Sequence, residues 1–404
     1  MPETHMHDAL FKPLTVGSIQ APNRIFMAPL TRARSTMPGS VPNDMMAEYY
    51  RQRAGSGLII AEATPVSPRG HGYYGAPGVH TDQQEAGWKN VTDAVHQAGG
   101  RIVLQLWHVG RVSHHKMQPG NQPPVSSTDV PSGSQTYIDE SFERVDNSPP
   151  RMLEEHEIPE VISEFADAAA RAKRAGFDGV EIHGANTYLL DQFTRDGVNK
   201  LTNSYGGSLE NRLRLPLEVA RAVVDAWGDA GGVGYRISPL SEHRDVVDSD
   251  PKATFSALAK GLGELGLAFL HAVETWDRTQ LDPRTPEVIP AIVEFFKNAG
   301  GGVYIANGDY SPEQAEQAIE SGWADAIAFG RPWIPNPDFA DRVRQGGPYR
   351  EPDQSTFYGG GAEGYSDYEP LETSEEANAQ CSFAFPAPRG RWHAQRDGGG
   401  LRSD

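Results

Sequence analysis

Cysteine is nearly absent from this chain of 404 residues; Cys381 is the only one. A single thiol excludes an intrachain disulfide and a cysteine-based metal site, and it fits a reducing, cytoplasmic setting. Long apolar runs are missing as well. No stretch of about 18 apolar residues occurs, so no transmembrane helix is expected, and the start MPETHMHDALFKP lacks the basic-then-apolar order of a signal peptide. Basic residues are in the minority: 36 Lys and Arg stand against 54 Asp and Glu, a formal net charge of −18. That balance argues against nucleic acid or an anionic membrane surface as partner.

What is present is a rhythm. Short β-rich apolar runs recur at Ile25 to Leu30, Gly57 to Ala63, Arg101 to Trp107, Gly179 to His183, Val233 to Ile237, Leu267 to Val273, Val303 to Ala306 and Ala326 to Phe329. Helical patterns separate them: Met45 to Ala54, Asp82 to Ala98, Ile158 to Ala175, Leu209 to Trp227, Thr254 to Leu262, Pro286 to Asn298, Ser311 to Ser321, and one after Asp338. Strands alternating with helices predict parallel pairing, and eight such units predict an α/β fold closed as a (β/α)8 TIM barrel. A hairpin around Val16-Gly17-Ser18 is expected to close its bottom. Residues 109–159, rich in Pro, Ser, Gln and Asp, are too long for an ordinary loop and are expected to cap the top face after the third strand. The barrel domain is placed at 8–370. Residues 371–404, mixing acidic residues with Gly, Pro and Arg, read as a mobile tail, with an arm to a partner subunit as the alternative.

Active sites of such barrels lie at the carboxyl ends of the strands. The fourth strand stops on His183, Asn186 and Tyr188, three hydrogen-bonding side chains within six residues. His183 and Asn186 can donate to one oxygen acceptor, and Tyr188 can then act as general acid. Taken singly, each has a plainer reading: a core histidine, a helix-capping asparagine, a packing tyrosine. A metal site is disfavoured, because Asn is a poor partner for His and no second histidine or cysteine stands nearby. The loops after strands seven and eight, Ala306-Asn307-Gly308-Asp309 and Phe329-Gly330-Arg331-Pro332, have the place and the glycines of a phosphate site. Arg236 interrupts an apolar strand, so it needs an anion, an electron-rich ring or an ion pair with Glu181. Gln105 alternates with apolar neighbours and could hydrogen-bond a heterocycle. Thr31 ends the first strand.

A set of motifs then carries a resemblance: LFKPLTVGSIQAPNRIFMAPLTRARS, GLIIAEAT, GYYGAPGVH, QLWHVGRVSH, GFDGVEIHGANTYLLDQF, NSYGGSLENR, VGYRISP, DAIAFGRPWIPNPDF and FYGGGAEGYSDYEP, in order from Leu10 to Pro370. They resemble the Old Yellow Enzyme family of FMN-dependent ene reductases, closest to its bacterial, pentaerythritol tetranitrate reductase-like branch. The resemblance implies noncovalent FMN, with Ala28, Pro29, Leu30, Thr31, Ala61, Gln105, His183 and Arg236 about the isoalloxazine. It places the phosphate among Asn307, Gly308, Phe329, Gly330 and Arg331. It implies that His183 and Asn186 bind the oxygen of an electron-withdrawing group, that Tyr188 delivers a proton, and that Tyr73, Trp107 and Tyr358 wall the substrate pocket. NADPH or NADH is implied as hydride donor and a small activated alkene as acceptor, in a monomer or homo-oligomer.

The chain departs from the family pattern in places. Tyr74 follows Tyr73 where a small residue is common, which is expected to narrow the pocket, and His243 lies where relatives differ. No iron–sulfur motif follows the barrel, so the larger dienoyl-CoA reductase type is not expected. Two other readings stay open at this point. A metal-dependent barrel lyase or hydrolase would lack flavin and need added metal; a non-catalytic flavin-binding or redox-sensing protein would hold FMN without passing hydride on.

Overall fold

The computed structural model describes residues 7–242 and 244–371. The expected tail therefore lies outside the described residues except for Leu371, as do Cys381 and His243.

Eight parallel strands form the barrel: β1 (Ile25–Met27), β2 (Ile59–Ile60), β3 (Ile102–Trp107), β4 (Gly179–His183), β5 (Val233–Ile237), β6 (Phe269–Val273), β7 (Val303–Asn307) and β8 (Ala326–Phe329). Each pairs with the next, and β8 returns to β1, which closes the sheet. The helices that follow them are α1 (Asp44–Gln52), α2 (Asp82–Gln97), α3 (Ile158–Arg174), α4 (Leu209–Trp227), α5 (Pro251–Glu264), α6 (Thr285–Asn298), α7 (Pro312–Glu320) and α8 (Phe339–Gln345). Local signals set their ends. Thr81 and Ser311 cap α2 and α7 through capping boxes with Gln84 and Gln314, and Pro312 sits where its missing N–H costs nothing.

Side-chain alternation sorts the strands into two cores. Phe26, Leu58, Ile60, Val103, Phe269, Ile305 and Ala326 point inward and meet Val16, Ile19 and Ala21 from the hairpin Leu14–Val16/Ile19–Ala21, which plugs the lower end. Ile25, Met27, Ile59, Leu104, Ile182, Tyr235, Leu270 and Ile327 point outward into the cluster shared with the helices. The hairpin turns at Gly17, whose φ of +57° and contact with the Gly231 carbonyl leave no room for a Cβ.

Toward the upper end the inward positions turn polar. Register places Gln105 beside Glu181, His183 beside Arg236, and Arg236 beside His271. Over them lies the 109–159 segment. Its antiparallel hairpin, Gln135–Tyr137 with Arg144–Asp146, stands at the cavity, and its base is a parallel pair of Val125–Ser126 with Arg151–Met152. Among the described residues no helix is long and apolar enough to cross a membrane.

Candidate active site

A cavity of about 860 Å³ opens at the carboxyl ends of the strands, within the roughly 300–1,000 Å³ usual for cofactor and ligand pockets. Its floor and walls include Ala28, Pro29, Leu30 and Thr31 after β1, Tyr73, Trp107, Asn186, Tyr188 and Arg236, then Asn307, Phe329, Gly330 and Arg331, with Tyr358 from the C-terminal segment. The chain thus brings residues from across more than 300 positions into one chamber. Ala61, Gln105, His183 and Gly308 do not line it. Ala61 is fully buried in the helix-facing core, Gln105 turns to Glu181, and Gly308 lies against Arg278 and Glu274. His183 sits just beneath the surface, 3% exposed.

The turn after β4 is strained. Asn186 and Thr187 both have positive φ, +56° and +71°; Asn tolerates that region, but a β-branched threonine does so only where its surroundings hold it there. They do so with several hydrogen bonds. Asn186 N–H donates to Ser238 Oγ (2.8 Å), Thr187 N–H to Asp191 Oδ2 (2.9 Å), and Gln192 Nε2 to the Thr187 carbonyl (2.7 Å). Asp191 is itself locked to Arg195 at 2.7 Å, both side chains fully buried. Gly184 is required before the turn because a Cβ there would collide with the Tyr235 ring. The result presents Asn186 and Tyr188 to the cavity, with Asn186 Oδ1 buried and without a hydrogen-bond partner among the described residues.

His183 is held neutral. Burial first, then the neighbouring Arg236, His271 and Arg244, push it well below the ordinary histidine range. Its Nδ1 accepts from the Ala185 N–H at 3.3 Å, which assigns the proton to Nε2. The ring stacks on Trp107 (6.3 Å, 19°) and meets the edge of Tyr188 (5.1 Å). Trp107 stacks in turn on Tyr73 (5.6 Å, 12°).

Arg236 is 4% exposed, and burial lowers it to about 10, so it remains a cation at neutral pH. Its Nη2 donates to Asn307 Oδ1 at 2.9 Å, while Nε has no partner among the described residues. The alternative of an Arg236–Glu181 ion pair is not realised: Glu181 is taken by Gln105 Nε2 and His271 Nδ1, each at 2.7 Å. Asn307 uses both ends of its carboxamide within the barrel, its Nδ2 donating to the Ala328 carbonyl at 2.7 Å. Arg331, which the resemblance places at the phosphate, is held by Asp309 at 2.7 Å. Tyr74 does not narrow the pocket; its ring packs on Phe142 (5.8 Å) in the capping segment.

Several cavity residues had no sequence signal. Tyr137 and Arg144 come from the capping hairpin, and Arg244 and Trp276 from loops after β5 and β6. Among the described residues, no group of three or more His, Cys, Asp or Glu could hold a metal ion.

A closed barrel with a buried arginine at the cavity floor, a carboxamide and a phenol on one wall and an imidazole just beneath them is a scaffold suited to a flavin-type oxidoreductase. The family model of the NADH:flavin oxidoreductase / NADH oxidase family matches residues 9–349, and the chain belongs to that family, the Old Yellow Enzyme family. Its relatives include 12-oxophytodienoate reductase 1 of Oryza sativa subsp. japonica, 43% identical over 91% of this chain and 94% of the relative. The flavin oxidoreductase hxnT of Emericella nidulans is 41% identical over 89% and 97%. Among solved structures, morphinone reductase in complex with tetrahydroNAD superposes with a TM-score of 0.84 at 46% identity, over 90% of this chain and 98% of that one. The Old Yellow Enzyme homologue from Zymomonas mobilis gives 0.84 at 40% identity, over 90% and 99%. The relatives do not single out the bacterial branch. The chain is an oxidoreductase of the flavin and nicotinamide type.

Proposed function

We propose that this chain is an FMN-dependent reductase of activated alkenes, α,β-unsaturated carbonyls and nitroalkenes foremost and nitrate esters as a further class, that takes its reducing equivalents from NADPH or NADH. The observation that carries the reading is the wall formed by Asn186 and Tyr188, with the neutral His183 just beneath it, facing a cavity with Arg236 at its floor.

The residues fit FMN. Arg236 is a buried cation with Nε unpartnered, suited to the electron-rich edge of a flavin ring, and Pro29, Leu30 and Thr31 line the cavity from the end of β1. The loops at Asn307 and at Gly330 and Arg331 converge at the other end, where the phosphate would lie. Because Arg331 is paired with Asp309, backbone N–H groups carry more of that task than a free guanidinium. FMN, when bound, supplies the hydride chemistry.

The chain supplies the rest. His183 Nε2–H and the Asn186 carboxamide hold the oxygen of the electron-withdrawing group and stabilise the charge that grows on it, where each donor is worth roughly 3 kcal/mol. Since the imidazole is neutral and Asn cannot titrate, this polarisation does not depend on pH across the neutral range. Tyr188 gives its proton to the α-carbon. Tyr73, Trp107 and Tyr358 wall the substrate, and the capping hairpin shields it from water.

The test is product formation. The purified protein should convert 2-cyclohexenone to cyclohexanone with matched consumption of a nicotinamide cofactor; flavin-loaded protein that yields no cyclohexanone with either nicotinamide, and reduces no nitroalkene, would favour the non-catalytic flavin-binding reading instead.

A further inference from the structure

Beside the main cavity lies a chamber of about 430 Å³ lined by Asn186, Tyr188, Arg244 and Trp276. Arg244 Nη1 donates to the Asn186 carbonyl and to Thr187 Oγ1, both at 3.3 Å, and Nη2 donates to the Tyr73 hydroxyl at 3.2 Å. Its guanidinium lies 5.3 Å from the centre of the Tyr188 ring. All of these partners are neutral. No ion pair to a carboxylate is formed by Arg244 among the described residues, and the adjacent Asp245 acts on Arg111 instead.

Arg236, at the cavity floor, likewise lacks a carboxylate, but three other arginines of these loops and turns are neutralised. Asp309 holds Arg331, Glu274 holds Arg278 and Asp191 holds Arg195. In a chain of net charge −18, a half-buried cation left without a carboxylate at the substrate wall is against composition. Removing it from water costs free energy that a counter-charge arriving in the chamber offsets. Burial works against the charge of Arg244, yet the Tyr188 and Tyr73 hydroxyls facing it outweigh that, so it stays protonated. Next to it, Trp276 exposes 47% of its surface, with its indole N–H fixed to Ser241 Oγ at 3.1 Å. A partly exposed indole beside a cation suits an apolar chain that ends in an anion.

We propose that Arg244 and Trp276 form a subsite for an anionic oxygen group, a carboxylate or a phosphate, carried by the molecule bound beside Tyr188. The group has two sources: the far end of an activated alkene, or the phosphates of the nicotinamide donor. This deepens the alkene-reductase reading and rests on it.

The test compares 8-oxo-6-octenoate with its methyl ester as substrates of the FMN-loaded protein, in the wild type, Arg244→Gln, Arg244→Lys and Trp276→Ala. Alongside it, calorimetry measures binding of the saturated 8-oxooctanoate and of ADP-ribose, which need no turnover. A charge-assisted contact favours the acid over the ester in KM by about ten-fold or more. That ratio falls toward one in Arg244→Gln and is partly kept in Arg244→Lys. If instead the ratio is near one throughout but ADP-ribose binds about ten-fold more weakly to Arg244→Gln, the anion is the donor's phosphate and the subsite stands. Acid and ester alike, with ADP-ribose unaffected by Arg244→Gln, would overturn it. Because the acid-to-ester ratio cancels any general loss caused by disturbing the Asn186–Thr187 turn, a merely structural role for Arg244 leaves it unchanged. Should neither alkene be reduced by the wild type while 8-oxooctanoate still binds through Arg244, the alkene-reductase reading fails and the subsite survives.

Discussion

The hydroxyl of Tyr188 lies 3.4 Å from the hydroxyl of Tyr73. This is longer than the 2.5–3.0 Å of a well-formed O–H···O bond, so the pair is aligned while the Tyr188 proton remains available to a third atom in the cavity. Burial and Tyr188 itself push Tyr73 upward, which keeps its phenol protonated beside the proton donor.

If Tyr188 is the general acid, Tyr188→Phe should slow reoxidation of reduced enzyme by 2-cyclohexenone by about 10²-fold or more. Reduction by NADPH or NADH should change little. Stopped-flow absorbance separates the two halves, and equal losses in both would contradict the assignment.

Removing His183 deletes one of two donors to the carbonyl oxygen. His183→Ala should cost roughly 3 kcal/mol, about 10²-fold in enone turnover, with a smaller effect on flavin content. A variant that lost its yellow colour but kept normal turnover per bound flavin would remove His183 from this role.

Arg236 should govern cofactor retention. Arg236→Ala should raise the FMN dissociation constant by at least about ten-fold, since hydrogen bonds to charged groups contribute roughly 1.5–3 kcal/mol. Fluorescence titration of apoprotein with FMN reads this directly; an unchanged constant would place the flavin elsewhere.

Asp191 stands behind the site. Asp191→Ala leaves Arg195 charged and buried, which costs about 3–5 kcal/mol, and it frees the Thr187 N–H that holds the strained turn. Chemical denaturation should register the loss of stability. Turnover per folded molecule should fall as well, because Asn186 and Tyr188 lose their fixed placement.

Stability should decline in acid through histidines inside the fold, among them His71, His108 and the half-buried His80. His71 and His108 are lowered to about 3 and His80 to about 4, in each case first by burial. Their folded values lie below the unfolded value near 6.5, so the unfolded chain binds more protons. The histidines are therefore without penalty above about pH 6.5 and destabilise the fold progressively as pH falls toward 3–4. Glu62, raised by burial to about 7, acts oppositely between pH 4.5 and 7. Below pH 4.5 Glu62 no longer offsets the histidines, and Glu157, held at about 2 first by its hydrogen bond from Arg151, adds its own loss as it is protonated, so the melting temperature should drop there most steeply and His71→Gln should lessen that slope.

Much of the barrel was legible because strand alternation and helix periodicity are both set by burial on one face. Every barrel strand and helix lies where the sequence pattern put it, with ends differing by a few residues. The helix Leu189–Thr194 was missed for the same reason: all six of its residues are buried, so it has no polar face to mark a period. His183, Asn186 and Tyr188 could be read because polar side chains closing an apolar strand are conspicuous. Arg244 and Trp276 could not, since nothing local distinguishes a loop arginine on the surface from one folded back over Tyr188. Likewise the pairing of Arg331 with Asp309 depends on two loops 22 residues apart meeting in space.

The most direct measurement is an anaerobic titration of the purified protein, following flavin absorbance as NADPH or NADH and then 2-cyclohexenone are added. The account predicts bleaching by the nicotinamide and recovery of the oxidised spectrum on adding the enone. A flavin band that no nicotinamide bleaches, or a bleached flavin that no activated alkene restores, would contradict it.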